Sequence, residues 1–224
     1  MSISDRAHSR IHNTLPVAKE GLPFILFGFA LFLLFLYLKL AILAILTLAA
    51  TLFTIYFFRD PERRSKADER AVLVPADGRV LKIQHLDEQD NPLGVPAVKA
   101  SVFMSLFDVH VNRIPVSGRI SEITYHPGKF FAANRDKASA QNENNSITLE
   151  TRDGQRIVFI QIAGLVARRI ACWIKEGDEV QAGQRFGLIR FGSRLDIYLP
   201  GNSRILAQRD HKVRAGETIL GYLS

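Results

Sequence analysis

The dipeptide Gly192-Ser193 places a hydroxyl residue directly after a small residue, inside a mainly apolar run near the C-terminus. In a tight turn, the Ser193 oxygen could attack the carbonyl carbon of the peptide bond that precedes it. That attack turns an amide into an ester and leads to cleavage of the chain in front of Ser193. Gly-Ser also occurs in many hairpin turns for purely conformational reasons, so residues elsewhere in the chain must decide between the two interpretations.

Two further motifs precede this dipeptide, in a fixed order behind an N-terminal apolar segment. The first is Pro75-Ala76-Asp77-Gly78, and the second is the run FDVHVNRIPVSG at residues 107–118. Together with Phe191-Gly192-Ser193 they resemble the phosphatidylserine decarboxylase proenzymes, in their short bacterial and archaeal form. The resemblance extends from about Pro16 to the end of the chain.

The resemblance implies an enzyme that makes its own pyruvoyl cofactor from Ser193. Autocatalytic serinolysis at Gly192-Ser193 would give two chains, residues 1–192 and 193–224, which stay together as a heterodimer. The pyruvoyl carbonyl would form a Schiff base with the substrate amine and accept the electron pair released with CO2. Phosphatidylserine would become phosphatidylethanolamine, with no metal and no separate cofactor. The ether-lipid analogue has the same head group, so the residues fit both lipids. The sequence does not decide whether the heterodimer forms a higher oligomer.

A serine hydroxyl needs a base within hydrogen-bond distance, and His110 is the best candidate of the six histidines. It lies between valines in a strand-like segment, follows Asp108 closely and belongs to the second motif. By the resemblance, Asp77 is the aspartate of an Asp-His-Ser constellation for self-processing. Longer members of the family have a second histidine where this chain has Arg113, so His110 is expected to serve both self-cleavage and decarboxylation, or a water takes one role.

The fold expected after the apolar segment is mainly β, because short alternating runs are bounded by Gly, Pro, Asn and Asp. Asp153-Gly154 predicts a hairpin turn between two of these strands. Residues 177–189 resemble the hairpin of biotinyl and lipoyl carrier domains, which predicts a barrel-sandwich core with additional strands and Ser193 exposed on a tight turn. The alternative function is therefore a membrane-tethered carrier or adaptor module without catalysis. Serine in place of the carrier lysine argues against it, because a hydroxyl cannot form the amide link to lipoate or biotin.

Lys39 is the only charged residue between Leu22 and Phe58. A bilayer core of about 30 Å needs roughly 20 apolar residues in a helix, so this segment is too long for one upright span. We expect a transmembrane helical hairpin that bends at Lys39. Lys and Arg residues flank both ends, which places both ends on the cytoplasmic side. One tilted helix with the N-terminus outside is the alternative.

The chain of 224 residues carries a net charge of +7, which indicates an anionic partner. No zinc-ligand spacing, basic heptad or aromatic RNA-binding motif accompanies this charge, so a membrane lipid surface is favoured over nucleic acid. A soluble amino-acid decarboxylase with the same pyruvoyl chemistry is disfavoured by the membrane segment. Cys172 is the single cysteine, which excludes an internal disulfide and suits a cytoplasmic domain.

These patterns predict three parts in the chain. Residues 1–20 form a cytoplasmic N-terminal tail, and residues 21–58 form a membrane anchor of one or two helices. Residues 59–224 form the β-rich catalytic domain at the cytoplasmic face of the cell membrane.

Overall fold

The structure is a computed structural model that describes residues 10–65, 67–68, 70–129, 141–164, 169–190 and 193–224. Its contacts divide the chain into two compact units. The helical unit is His12–Glu62, and the β unit contains Arg63–Ser224 together with the N-terminal segment that ends at Ile11.

The helical unit contains two apolar helices, α1 (Leu22–Tyr37) and α2 (Ala41–Phe57). The chain reverses between them at Lys39, whose φ of 57° lies in the left-handed region. Two helices with a break at Lys39 are what the sequence predicted. At 1.5 Å per residue the helices are about 24 and 26 Å long. The stretch Lys19–Tyr37 is long and apolar enough to cross a membrane, and the second helix is shorter.

The two ends of this helical unit meet. The Ala18 amide donates to the Phe58 carbonyl at 2.7 Å, and the Asp60 amide donates to the Pro16 carbonyl at 2.8 Å. Between the helices, the Thr51 hydroxyl lies so close to Gly28 that a Cβ there would be 2.3 Å from its oxygen. The helices therefore form a hairpin. Most of their large apolar side chains are exposed, for example Leu26, Phe27 and Ile42, as expected of a surface that contacts lipid.

The β unit contains fourteen strands within the part of the chain that is described. They are β1 (Ala71–Leu73), β2 (Gly78–Leu86), β3 (Ala97–Met104), β4 (Val111–Arg113), β5 (Gly118–His126), β6 (Asn144–Glu150), β7 (Arg156–Ala163), β8 (Ile170–Cys172), β9 (Glu179–Val180), β10 (Arg185–Ile189), β11 (Ser193–Pro200), β12 (Arg204–Ile205), β13 (Lys212–Val213) and β14 (Ile219–Tyr222). Eight of them form one antiparallel sheet in the order β13-β2-β3-β11-β7-β6-β5-β9, and the two smaller sheets are β4-β10-β8 and β1-β14-β12.

The large sheet curls into a half-barrel around an apolar core. Alternate residues of its strands face inward, so that Val102, Phe159 and Ile197 are fully buried. Phe159 of β7 meets Phe186 of β10 edge to face, with ring centroids 5.0 Å apart, which joins the large sheet to the small sheet β4-β10-β8. The mainly β fold predicted from the sequence is confirmed. The predicted hairpin at Asp153-Gly154 is also present, between β6 and β7, where Gly154 has a φ of 77°.

The first and third sequence motifs lie at the same end of the large sheet, next to the last residue of β3. Strand β3 ends at Met104, which pairs with Ser193 at the start of β11. Strand β2 begins at Gly78 at the same edge, because Arg79 pairs with Phe103. Gly78 has a φ of 135°, and a Cβ there would lie 1.9 Å from the Phe103 carbonyl oxygen. Only glycine fits at that point, which fixes the position of Asp77 just before it.

Candidate active site

Ser193 is the first residue of β11 and its side chain is fully buried. The expectation of a serine exposed on a tight turn is therefore wrong. Side chains alternate along a strand, and Ser193 lies on the same face as Leu195 and Ile197, which belong to the core. Its hydroxyl donates to the Met104 sulfur at 3.7 Å. Gly192, the other half of the predicted cleavage site, lies outside the described residues.

Strands β3 and β7 flank Ser193 on the two sides of β11. Ser193 pairs with Met104 of β3 on one side and with Ala163 of β7 on the other. Both ladders are antiparallel and continue along most of β11. The serine is therefore placed at the rim of the sheet while its strand is one of the central strands, which fixes its backbone firmly.

His110 directly precedes β4 and is fully buried. Its Nδ1 lies 3.0 Å from the carbonyl oxygen of Asp108, a contact in which Nδ1–H donates. This tautomer leaves Nε2 as the basic nitrogen. A carbonyl therefore orients the imidazole here, where a carboxylate was expected. The Asp108 carboxylate accepts hydrogen bonds from the Ser105 amide at 2.9 Å and hydroxyl at 2.7 Å.

The strand that follows His110 approaches Ser193 through Met104. The Asn112 amide donates to the Met104 sulfur at 3.5 Å, so this sulfur is shared by Asn112 and the Ser193 hydroxyl. His110 and Asn112 are two residues apart, the spacing at which side chains of an extended segment share one face. The structure thus brings the segments of His110 and Ser193 to the same end of the core. Among the described contacts, the Ser193 hydroxyl is bonded to Met104 and not to His110.

Asp77 is buried and engaged in an ion pair. The Arg63 guanidinium donates to both of its oxygens, at 2.5 Å and 2.8 Å, and the Ala215 amide donates to Oδ1 at 2.8 Å. Strand β3 separates β2 from β11, so the backbones of Asp77 and Ser193 lie two strand spacings apart, roughly 10 Å. The described hydrogen bonds of the Asp77 carboxylate go to Arg63 and Ala215, and none of them reaches His110 or Ser193. The role of Asp77 in self-processing stays a prediction.

The turn of Asp77 is nevertheless tied to the strand that follows His110. The Arg113 amide donates to the Pro75 carbonyl at 2.9 Å, and the Arg113 guanidinium donates to the Gly183 carbonyl at 2.9 Å. Arg113, at the position of the second family histidine, is buried and binds a backbone carbonyl. That guanidinium contact holds the backbone in place.

Sequence reasoning missed a buried chain of amide side chains beside the site. The Gln161 amide donates to the Asn112 oxygen at 2.9 Å, and the Asn145 amide donates to the Gln161 oxygen at 3.3 Å. All three side chains are at most 3% exposed. They connect β4, β7 and β6 behind Met104. Asn112 lies in the second motif, but its partners are distant in sequence and no local pattern marks them.

A second polar cluster lies on the opposite face of β11. The Arg194 guanidinium donates to both oxygens of Asp196 at 2.6 Å, and Lys99 Nζ is 2.9 Å from Asp196. Burial opposes ionisation of Asp196, but the hydrogen bonds and charge of Arg194 outweigh it and lower the pKa of Asp196 below its ordinary value. Burial likewise opposes protonation of Lys99, yet Asp196 raises the pKa of Lys99. The lowered pKa of Asp196 and the raised pKa of Lys99 both indicate one ionised cluster on the strand that begins with Ser193.

Within the described residues, no group of three or more His, Cys, Asp or Glu side chains has a geometry that would hold a metal ion.

Comparison with known proteins identifies the family of this chain. A family model described as phosphatidylserine decarboxylase matches residues 50–221. The chain is 50% identical over 206 residues to a phosphatidylserine decarboxylase proenzyme of Syntrophus aciditrophicus (strain SB), which covers 92% of this chain and 96% of that protein. It is 49% identical over 211 residues to the protein of the same name from Desulfotalea psychrophila (strain LSv54 / DSM 12343), covering 93% and 97%. These matches run through all three motifs and the strands that position them, and the chain belongs to the phosphatidylserine decarboxylase family of carboxy-lyases.

Proposed function

We propose that this chain decarboxylates phosphatidylserine to phosphatidylethanolamine and CO2 in phospholipid biosynthesis, after cleaving itself between Gly192 and Ser193. The observation that carries the proposal is the buried Ser193 at the start of β11, in a chain of this family. The relatives are named proenzymes, which supports a maturation step. The comparisons do not favour the alternative of a carrier or adaptor module.

Maturation begins when the Ser193 hydroxyl attacks the Gly192 carbonyl carbon. The C–N bond breaks as an ester C–O bond forms, and the Ser193 nitrogen takes up a proton. Loss of the Cα proton with the ester oxygen as leaving group then releases the carboxylate of Gly192 and leaves dehydroalanine at residue 193. Water converts that residue to an N-terminal pyruvoyl group with release of ammonia. Two chains result, residues 1–192 and 193–224, and we propose that they remain together as a heterodimer.

His110 is the proposed base for the attack. With Nδ1–H bound to the Asp108 carbonyl, Nε2 is the unprotonated nitrogen and can take the hydroxyl proton. The same nitrogen, once protonated, can return a proton to the carbon that loses CO2. One histidine then serves both steps, which fits the placement of Arg113 as a residue that holds backbone.

The position of Ser193 fits a pyruvoyl group. A serine is the residue from which this group is made, and here it is fully buried at the edge of the core, beside the sulfur of Met104. Once formed, the pyruvoyl group would supply an electron sink for the bonding pair that stays behind when the substrate carboxylate leaves as CO2. The chain itself then has three tasks, which are to hold residue 193, to exclude bulk water and to place Nε2 of His110.

Asp77 is proposed as a positioning residue for self-processing. Its ion pair with Arg63 and its bond to Ala215 fix the turn at residues 75–78. In that turn the Pro75 carbonyl accepts a hydrogen bond from the Arg113 amide. Arg113 belongs to the strand that begins directly after His110. Asp77 thereby acts on His110 through the backbone.

The proposed function places the protein at the cell membrane, with the catalytic domain (residues 59–224) on the cytoplasmic side, a tail at residues 1–20 and an anchor at residues 21–58. The meeting of the two ends of the helical unit supports an even number of crossings. In a background in which Cys172 is replaced by serine, Lys39→Cys should react with an impermeant thiol reagent added to intact cells. Ser65→Cys, at the other end of the hairpin, should not. Reaction at Ser65→Cys alone would refute this topology.

The test of the activity is the intact mass of the purified protein together with CO2 release from phosphatidylserine. We expect two fragments that meet between residues 192 and 193, the shorter one with a blocked N-terminus. Ser193→Ala should stay whole and release no CO2, whereas Ser203→Ala, a buried serine of the same C-terminal segment, should cleave normally. An active preparation that consists of one uncut chain would refute the mechanism.

A further inference from the structure

The turn between β3 and β4 carries two apolar side chains on its outer side. Leu106 is 38% exposed and Phe107 is 66% exposed. Turns are usually made by Gly, Pro, Asn, Asp and Ser, whose backbone or side chains suit the chain reversal. Two adjacent apolar residues at such a position do not help to form the turn, and their exposure to water is unfavourable.

This turn is held in a defined shape by Asp108. Its carboxylate accepts hydrogen bonds from the amide and the hydroxyl of Ser105, and its own amide donates to the Ser105 carbonyl at 3.1 Å. These contacts close the turn on its inner side. Leu106 and Phe107 are therefore presented outward by a fixed backbone.

The turn lies at the rim of the candidate active site. It begins after Met104, the strand partner of Ser193, and it leads directly to His110. The other large apolar side chains that are exposed in the described β unit are single residues in other turns and strands, namely Val95, Tyr125 and Leu206. Leu106 and Phe107 thus form the exposed apolar pair that borders the reactive residues.

Two arginines adjoin neighbouring strands, Arg169 directly before β8 and Arg190 directly after β10. The Ile189 amide donates to the His110 carbonyl at 3.4 Å, and the next amide, of Arg190, donates to the Arg169 carbonyl at 3.3 Å. Arg169 is exposed. Arg169 thus adjoins the small sheet β4-β10-β8, whose strand β4 follows His110. Exposed apolar side chains on a surface with an exposed cation are typical of a site that binds an anionic bilayer, since the apolar groups enter the acyl region and the cations remain at the phosphates.

We propose that Leu106 and Phe107 insert into the bilayer and hold the active site against the membrane surface from which the lipid head group enters. The proposal rests on the proposed function for its assignment of a bilayer lipid as substrate. A phospholipid surface is therefore what the turn would contact. If the turn binds a protein partner instead, the experiment below distinguishes the two.

The first experiment measures insertion directly. Trp173 is the only native tryptophan and is buried, so Phe107→Trp in a Trp173→Phe background gives a signal from the turn alone. The full chain is reconstituted in phosphatidylcholine and phosphatidylserine vesicles, with ordinary or brominated acyl chains. We expect the emission of Phe107→Trp to be blue-shifted and quenched by bromine, and that of Val95→Trp, the matched exposed position, to be unaffected. Equal emission of Phe107→Trp in both vesicles would overturn the proposal and leave a protein partner as the occupant.

The second experiment separates membrane contact from folding. The double variant Leu106→Ser and Phe107→Ser should form both fragments and turn over a short-chain, monomeric phosphatidylserine at the normal rate. With bilayer phosphatidylserine we expect a loss of at least about tenfold, because the burial of each large apolar side chain contributes a factor of about ten or more. An equal loss with both substrates would refute the membrane role.

The two proposals can fail separately. Quenching requires no catalysis, so an inactive chain with quenched emission would refute the decarboxylase mechanism and retain the membrane contact. An active chain without quenching would do the reverse.

Discussion

The ion pair between Arg63 and Asp77 gives the sharpest test of how the site is supported. The two side chains are only 6% and 10% exposed, and two hydrogen bonds join them. Removing one partner of a buried pair leaves the other charge without compensation and costs about 3–5 kcal/mol. Arg63→Met should therefore lower the free energy of unfolding of the β unit by this amount. For a unit of this size the melting temperature should fall by about 6–20 °C.

The measurement uses the full chain with Ser193→Ala, so that every variant stays uncut, and follows the fluorescence of the buried Trp173 during thermal unfolding in detergent. Arg79→Met is the control, because Arg79 is exposed and donates to a single carbonyl, that of Asp210. We expect that control to change the stability by less than about 1 kcal/mol.

A double-mutant cycle completes the test. The variant with both Arg63→Met and Asp77→Asn removes both charges, and it should be more stable than the sum of the single losses predicts, by about 1–3 kcal/mol. Single losses that add within about 0.5 kcal/mol, or an Arg63→Met variant as stable as the Arg79→Met control, would refute the buried pair as the support of this turn.

Two further predictions concern residues on either side of Ser193. His110→Ala should accumulate as the uncut chain and release no CO2; a variant that cleaves but does not turn over would restrict His110 to decarboxylation, and normal rates of both steps would remove it from the mechanism. Asp196→Asn should destabilise the β unit at neutral pH. Arg194 and Lys99 hold the pKa of Asp196 in the folded protein below its ordinary value, against the effect of burial. The stability that the ionised Asp196 contributes is therefore present above about pH 4, and it is lost as the pH falls through the lowered pKa of the folded state. The stability curves of the parent and Asp196→Asn should therefore converge in acid, and parallel curves would contradict the assignment.

The strands and the helical hairpin were predictable because local patterns encode them. Alternation of apolar residues marked the strands, the Asp153-Gly154 turn joined β6 to β7, and Lys39 marked the break between two apolar helices. The burial of Ser193 was also encoded, since residues 193, 195, 197 and 199 share one face of β11 and three of them are aliphatic. The resemblance to carrier domains predicted a turn at Ser193, and this led to the wrong prediction that its side chain is exposed.

The contacts around the site could not be predicted in the same way. The partner of Asp77 is Arg63, fourteen residues earlier and outside any strand, and nothing in the sequence relates the two. The expected carboxylate beside His110 is replaced by the carbonyl of Asp108, and a backbone carbonyl has no sequence signature. The amide chain of Asn112, Gln161 and Asn145 depends on three strands in two sheets, so it appears only once the sheets are assembled.

The position of Ser193 at the first residue of β11 also determines how the protein behaves after it has been unfolded. Cleavage in front of Ser193 would put β11 to β14 on a separate chain whose strands complete the large sheet through β3 and β7. The precursor folds as one chain, but the mature protein could refold only by association of two chains, at a rate that depends on their concentration. It could not rebuild its reactive group from an intact peptide bond. The working lifetime of the enzyme would then be set by its rate of unfolding, and each molecule is matured once.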